Sequence, residues 1–160
     1  MSVQNTLSAT GGKSPSLLQR GIALYKGAAS LLDMLQPLAA LAARIYVGQA
    51  FFLSGLTKLR DWETTVALFT DEYKVPVLPP EIAAFMGTGG ELVLPVLLVL
   101  GFVSRFAALG LFVVNAIAVV SLQDIAPAAL QQHIFWGSLL VGIAIYGPGK
   151  LSIDGMLARR

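Results

Sequence analysis

The stretch 41-LAARIYVGQAFFLSGLTKLRDW-62 decides how this chain is read. Most of it is apolar enough to lie in lipid, yet it holds Arg44 inside the run and Lys58 just beyond it. A guanidinium is effectively always charged. Ionisable groups within membrane spans are rare, face the interior of a helix bundle and need a partner. Arg44, Gly48, Phe51, Gly55 and Lys58 recur at helical spacing and share one face. The two glycines on that face let a neighbouring helix come close. Gln49 lies beside it. The stretch is therefore expected to be the inward-facing first span of a bundle, with Arg44 and Lys58 answered from other helices.

Composition agrees with a membrane setting. The chain has 160 residues, 56% of them hydrophobic and 12% charged, with mean hydropathy +0.74. A soluble domain carries about 25% charged residues, so most of this surface faces lipid. The net charge of +2 and the absence of any recognisable binding motif argue against a nucleic-acid partner. There are no cysteines, which removes disulfides, thiol catalysis and Cys-based metal sites. A single histidine, His133, leaves no His-rich metal cluster, so no metal is expected.

Working outward, residues 1–16 are polar and turn-rich and are expected to be a disordered tail rather than a signal peptide. Residues 17–36 place Leu17, Leu24, Ala28, Leu31 and Leu35 on one helical face, with Lys26 and Asp33 opposite. That suits an amphipathic helix lying in the membrane interface, and Pro37 is expected to end or kink it. A helix packed on a partner or on the bundle is the alternative. Residues 37–160 then form a four-span domain, with spans at about 38–57, 81–100, 104–122 and 130–147, each near the ~20 residues that cross a hydrocarbon core. The fold class expected is an all-α membrane protein, a four-transmembrane-helix bundle with an N-terminal amphipathic interfacial helix. The connection 58–80 has a segment around Val66, Leu68 and Phe69 that suits a short surface helix, followed by Pro76, Pro79 and Pro80.

Lys13, Arg20, Lys26, Arg105, Lys150, Arg159 and Arg160 fall on one side of such a bundle. Lys58, Arg60 and Lys74 fall on the other, with most of the acids. The positive-inside rule then places both termini of a multi-pass membrane protein in the cytoplasm.

The intramembrane polar residues carry the functional question. Reckoned from the expected span ends, Arg44 lies roughly 9 Å deep and Glu91 roughly 13–14 Å at 1.5 Å per residue. An Arg44–Glu91 ion pair is expected on that basis, with Gly87 one turn from Glu91 as a further packing glycine. The pair either fixes helix register or, with Gln49, Asn115, Lys58 and His133, lines a polar pocket. Lys58 alone reads as a snorkelling lysine. His133 reads as an interface residue able to relay a proton. No catalytic residue is identified. Ser152 reads as the cap of a short terminal helix, with Asp154 in its first turn.

The segments RIYVGQAFFLSGLTKL, GGELVLPVLLVLGFVSRFAALGL and YGPGKLSIDG, in that order across about residues 40–156, resemble the DoxX family of small four-helix bacterial membrane proteins. The residues matching its recurrent positions are Arg44, Gly55, Lys58, Glu91, Gly101, Arg105, Gly149, Ser152 and Asp154. The resemblance implies an accessory subunit of a redox or oxidative-stress system, quinone-linked and partnered with a redox enzyme rather than a stand-alone enzyme. It implies no cofactor held by the chain itself beyond a quinone. A small transporter or channel with a polar site around Arg44 and Glu91, and a non-catalytic membrane scaffold, are the competing expectations. Besides the lipid bilayer, homo-oligomerisation is left open.

Overall fold

A computed structural model describes residues 16–122 and 124–159. The tail expected at 1–16 therefore lies outside the described residues except for Ser16. Six helices follow in order: α1 Leu17–Arg60, α2 Trp62–Asp71, α3 Pro80–Leu100, α4 Ser104–Ser121, α5 Pro127–Tyr146 and α6 Ile153–Leu157. Among the described residues there is no strand beyond an isolated antiparallel bridge between Tyr73 and Leu122. Four helices, α1, α3, α4 and α5, are long and apolar enough to cross a membrane. The fold is an all-α membrane bundle. The ends of α3, α4 and α5 lie within a few residues of those read from hydropathy.

The described residues divide into two units, one up to Leu35 and one from Gln36 onward. In the first, Ser16 and Gln19 form a reciprocal cap. The Ser16 N–H donates to Gln19 Oε1 at 2.9 Å and the Gln19 N–H donates to Ser16 Oγ at 3.3 Å. This satisfies two backbone donors left open at the helix start. Nearly every side chain from Leu17 to Leu35 is exposed, including Leu17, Leu24 and Tyr25. Of the two expectations for Pro37, ending or kinking the helix, the first does not hold: it sits inside α1, a helix of 44 residues. The surrounding Leu and Ala are strong helix formers, and membrane helices tolerate proline where neighbours and local adjustment re-satisfy the freed carbonyl.

The second unit is the bundle. α3 packs on α4 and α4 on α5, while α1 meets both α3 and α5. On the α3 side, a Cβ at Gly48 would stand 2.6 Å from Val99 Cγ2, and one at Gly55 would stand 2.9 Å from Leu92 Cγ. Only glycine allows this approach, and van der Waals packing of this kind holds membrane helices together. On the α5 side, Phe51 meets Trp136 at 5.5 Å between ring centres and Tyr46 meets Phe135 at 5.7 Å. The shared core is Val47, Phe51, Leu98, Ala107, Ala108, Leu111, Leu140 and Ile143.

The α3–α4 reversal is very short. Gly101 (φ +72°) ends α3 in the left-handed region and Val103 (φ +43°) opens α4. The Phe102 N–H reaches back to the Leu97 carbonyl at 3.0 Å, closing α3 as in a Schellman turn. On the opposite side α2, the surface helix expected near Val66–Phe69, is capped by Asp61, which accepts from the Thr64 N–H at 3.0 Å and the Thr64 hydroxyl at 2.6 Å. Those bonds hold the exposed Asp61 carboxyl below its ordinary pKa. Phe69 of α2 packs with Ala83 and Ala84 of α3 in a second, smaller core.

Candidate functional site

Glu91 lies on the buried face of α3 directly across from Gly55, whose added Cβ would meet Glu91 Cβ at 3.1 Å. One turn beyond Gly55, Lys58 donates from Nζ to Glu91 Oε2 at 2.6 Å and to Ser54 Oγ at 2.8 Å. Their side chains are 18% and 10% exposed, so the pair is largely withdrawn from the surroundings. Lys58 is thus no solitary snorkelling lysine; it answers the carboxylate of α3.

Beside this pair lies a cavity of about 190 Å³. Its walls come from α2 and the following loop (Phe69, Tyr73, Val75, Leu78), from α3 (Ala83, Met86, Gly87) and from α4 (Val113, Val114, Ile117, Ser121). Gly87 faces the Phe69 ring at 3.5 Å from an added Cβ, so it admits α2 rather than α1. The loop wall is tied to the end of α4 by the Lys74 N–H donating to the Ser121 carbonyl at 2.9 Å. Ser121 is buried, and its hydroxyl has no hydrogen-bond partner among the described residues. A buried polar group in that condition calls for an explanation. The Tyr73 phenol is pushed above its ordinary pKa, first by burial and then by the negative charges of Glu91 and Glu72. Phe69 was read from sequence as part of a surface helix, and Phe69, Tyr73 and Ser121 were not expected to be site residues. The signal available was weak: an aromatic pair four residues apart, Phe69 in α2 and Tyr73 just past its end.

Arg44 does not pair with Glu91. Its Nη1 donates to the Val99 carbonyl at 2.9 Å and to the Leu98 carbonyl at 3.4 Å, while Nη2 donates to the Leu151 carbonyl. The residue is fully buried. The contacts of Gly48 with Val99 and of Gly55 with Leu92 fix an antiparallel register in which Glu91 is level with Gly55. Arg44 is eleven residues away along α1, roughly 16 Å. Depth reckoned from span ends placed the two a turn or two too close. The polar site around Arg44 and Glu91 on which a transport reading rests is therefore not assembled.

What Arg44 does instead is close the base of the bundle. The carbonyls at the end of α3 have no partner within their helix, and a guanidinium is a strong donor for them. Asp154 works beside it. Its carboxylate accepts from the Val103 N–H at 2.9 Å and from the Ser104 N–H and hydroxyl, each at 2.8 Å. α4 has Val103 at its cap position and no local capping side chain. Asp154, fifty residues on, supplies the cap. Burial pushes the Asp154 carboxyl up, but the hydrogen bonds from Ser104 and Val103 and the charge of Arg44 outweigh it and hold it below its ordinary pKa. Ser152 caps α6 as expected, accepting from the Gly155 N–H at 2.9 Å.

The remaining candidates separate. Asn115 of α4 and His133 of α5 meet: Asn115 Nδ2 donates to the His133 carbonyl at 3.0 Å, and His133 Nδ1 lies 2.8 Å from Asn115 Oδ1. They line a groove between α4 and α5, apart from the Lys58–Glu91 cavity. Gln49 is exposed and lines neither. Among the described residues no group of three or more His, Asp or Glu is arranged to hold a metal ion.

Comparison with known proteins agrees with this architecture. The chain is 27% identical over 126 residues to an uncharacterized protein of Haemophilus influenzae, covering 74% of this chain and 83% of that one. No solved structure matches it significantly. The DoxX family model matches residues 39–124, a segment holding α2, α3, α4 and residues 39–60 of α1, with the Lys58–Glu91 pair inside it. This protein is a member of the DoxX family of membrane proteins.

Proposed function

We propose that the protein is an accessory subunit of a redox system in the bacterial cytoplasmic membrane, and that the cavity beside Lys58 and Glu91 holds a quinone ring. The observation that carries this reading is an apolar cavity edged by a charged pair and an unspent hydroxyl, Ser121. Pockets that are mostly apolar, with a few convergent polar groups, are the usual form of a small-molecule site.

Size and chemistry both suit a ring. A cavity of about 150 Å³ takes benzene, and this one is 190 Å³. A quinone presents a flat apolar body and carbonyl oxygens that accept hydrogen bonds. An ammonium has three protons; Ser54 and Glu91 take two of those on Lys58, leaving one to offer. The Ser121 hydroxyl offers another, and the second oxygen of Glu91 accepts from a reduced hydroxyl. A quinone supplies two-electron chemistry when bound. The chain has no cysteine, so a partner's cofactor provides the electrons.

Duroquinone added to the purified protein is expected to raise its unfolding temperature, since a ligand that binds only the folded form stabilises it. Ser121→Val is expected to weaken that effect while leaving the unliganded protein folded. No rise at saturating duroquinone rejects the reading. Purification in mild detergent, followed by spectroscopy of any flavin, haem or iron–sulfur cluster that accompanies the protein, tests the redox partner separately.

A further inference from the structure

We infer that the groove between α4 and α5 is a second ligand site, selective for a membrane-soluble aromatic hydroxyl compound of the phenol or hydroquinone class. The compound is held by its O–H donating to Nε2 of His133.

The selectivity follows from the hydrogen bonds that hold the histidine. A backbone carbonyl can only accept, so the Asn115 atom 3.0 Å from the His133 carbonyl must be the amide nitrogen. That fixes the orientation of the amide. Its other end, Oδ1, is then an acceptor and faces His133 Nδ1 at 2.8 Å. Nδ1 must therefore carry the proton, which leaves Nε2 of the neutral ring with a lone pair and no N–H. Nε2 has no partner among the described residues, and the half-buried ring lines the groove. What the groove offers at that atom is an acceptor and nothing else.

Gly137 makes this arrangement fit. A Cβ there would stand 3.3 Å from Asn115 Nδ2 and 3.6 Å from the Phe112 ring, so a larger residue would press on the amide that locks the imidazole. Trp136 braces the other side, its ring edge-on to His133 at 5.2 Å.

The occupant follows from where the groove lies. Asn115 and His133 are each about six residues in from the nearer end of their spans, roughly 9 Å of helix. The groove volume is about 560 Å³, and the lining is otherwise Phe112, aliphatic side chains and Ser138. A molecule dissolved in the bilayer reaches such a site; a polar solute does not. A quinone carbonyl has no proton to give Nε2 and binds more weakly. An aromatic hydroxyl, more acidic than an alkanol, makes the stronger bond to an imidazole lone pair in low dielectric. None of this depends on the quinone reading of the first cavity.

Because His133 is the single histidine, isotope-labelled histidine gives one imidazole to follow by NMR in the intact protein. The unliganded ring is expected in the Nδ1-protonated form. Durohydroquinone, kept reduced under anaerobic conditions, is expected to shift the Nε2 resonance saturably. Duroquinone is expected to bind there at least about tenfold more weakly, the loss of roughly one hydrogen bond. Ser121→Val is expected to leave this response intact while weakening stabilisation by duroquinone, which separates the two sites. Asn115→Ala, which frees the tautomer, is expected to erase the preference for the hydroxyl form. A ring protonated at Nε2, no saturable shift with durohydroquinone, equal binding of both forms, or an equal shift with dodecanol each overturns the inference.

Discussion

At the scale of single residues, the two charges of the first span have different answers because they sit at different depths. Lys58 meets a carboxylate, and Arg44 meets carbonyl oxygens. The cost of breaking the first pair is unequal. Lys58→Met strands a buried carboxylate and is expected to cost about 3 kcal/mol, whereas Glu91→Gln leaves a lysine that can snorkel outward and costs less. The double change Lys58→Met with Glu91→Leu is expected to recover most of the loss, and a double-mutant cycle on unfolding in detergent measures the coupling. Asp154 adds a pH dependence. Its folded pKa is depressed, so the stability it contributes is complete above the ordinary carboxylate value of about 4 and disappears as pH falls through the folded value. Thermal scans of wild type and Asp154→Asn are expected to run parallel above about pH 5 and to converge below it. The presence of intramembrane partners was legible from Arg44, Lys58 and Glu91. Which charge met which was not, because hydropathy locates a span end only to within a turn. Such errors at two span ends add up to about two turns, enough to exchange partners.

At the scale of elements, glycine sets the register that hydropathy could not. Gly48 and Gly55 were legible as a close-packing face, yet the residues they admit, Val99 and Leu92, were hidden, because apolar side chains of α3 look alike in sequence. Gly55→Val is expected to push α1 from α3 at a cost of about 1–3 kcal/mol, the usual range for overpacking. It should also part Lys58 from Glu91 and so reduce stabilisation by duroquinone, a coupled effect that unfolding curves with and without the quinone would detect. The α3–α4 turn shows a different blind spot. No local side chain caps the helix start at Val103–Ser104; the one that does comes from α6. Long-range capping leaves no local pattern. Gly101 is fixed by this turn on two counts. It adopts φ +72°, and an added Cβ would stand 2.6 Å from Arg44 Nη1. Gly101→Ala is expected to cost more than Gly55→Val by the same measurement.

At the scale of the whole molecule, the number of spans and their order follow from composition, because lipid leaves a chain few ways to satisfy its backbone. Orientation is a separate matter of charge. We propose, from the positive-inside rule, that Ala158 lies on the cytoplasmic side and Glu63 outside. The absence of native cysteine makes this direct to check: a thiol reagent that cannot cross the membrane should label Glu63→Cys in intact spheroplasts and Ala158→Cys only after permeabilisation. The contact between Arg44 and the Leu151 carbonyl spans 107 residues, and it bears on how the protein is made. The first span is synthesised long before residue 151 leaves the ribosome. Throughout that interval its arginine lacks at least one of the three carbonyls that will hold it. A translation product stopped short of Leu151 keeps that deficit permanently, with α4 uncapped as well, since Asp154 is missing from the same fragment. Completeness of the polypeptide is thus written into the base of the bundle. Prematurely terminated chains should be cleared by membrane proteases faster than full-length ones, a difference that pulse-chase labelling would measure.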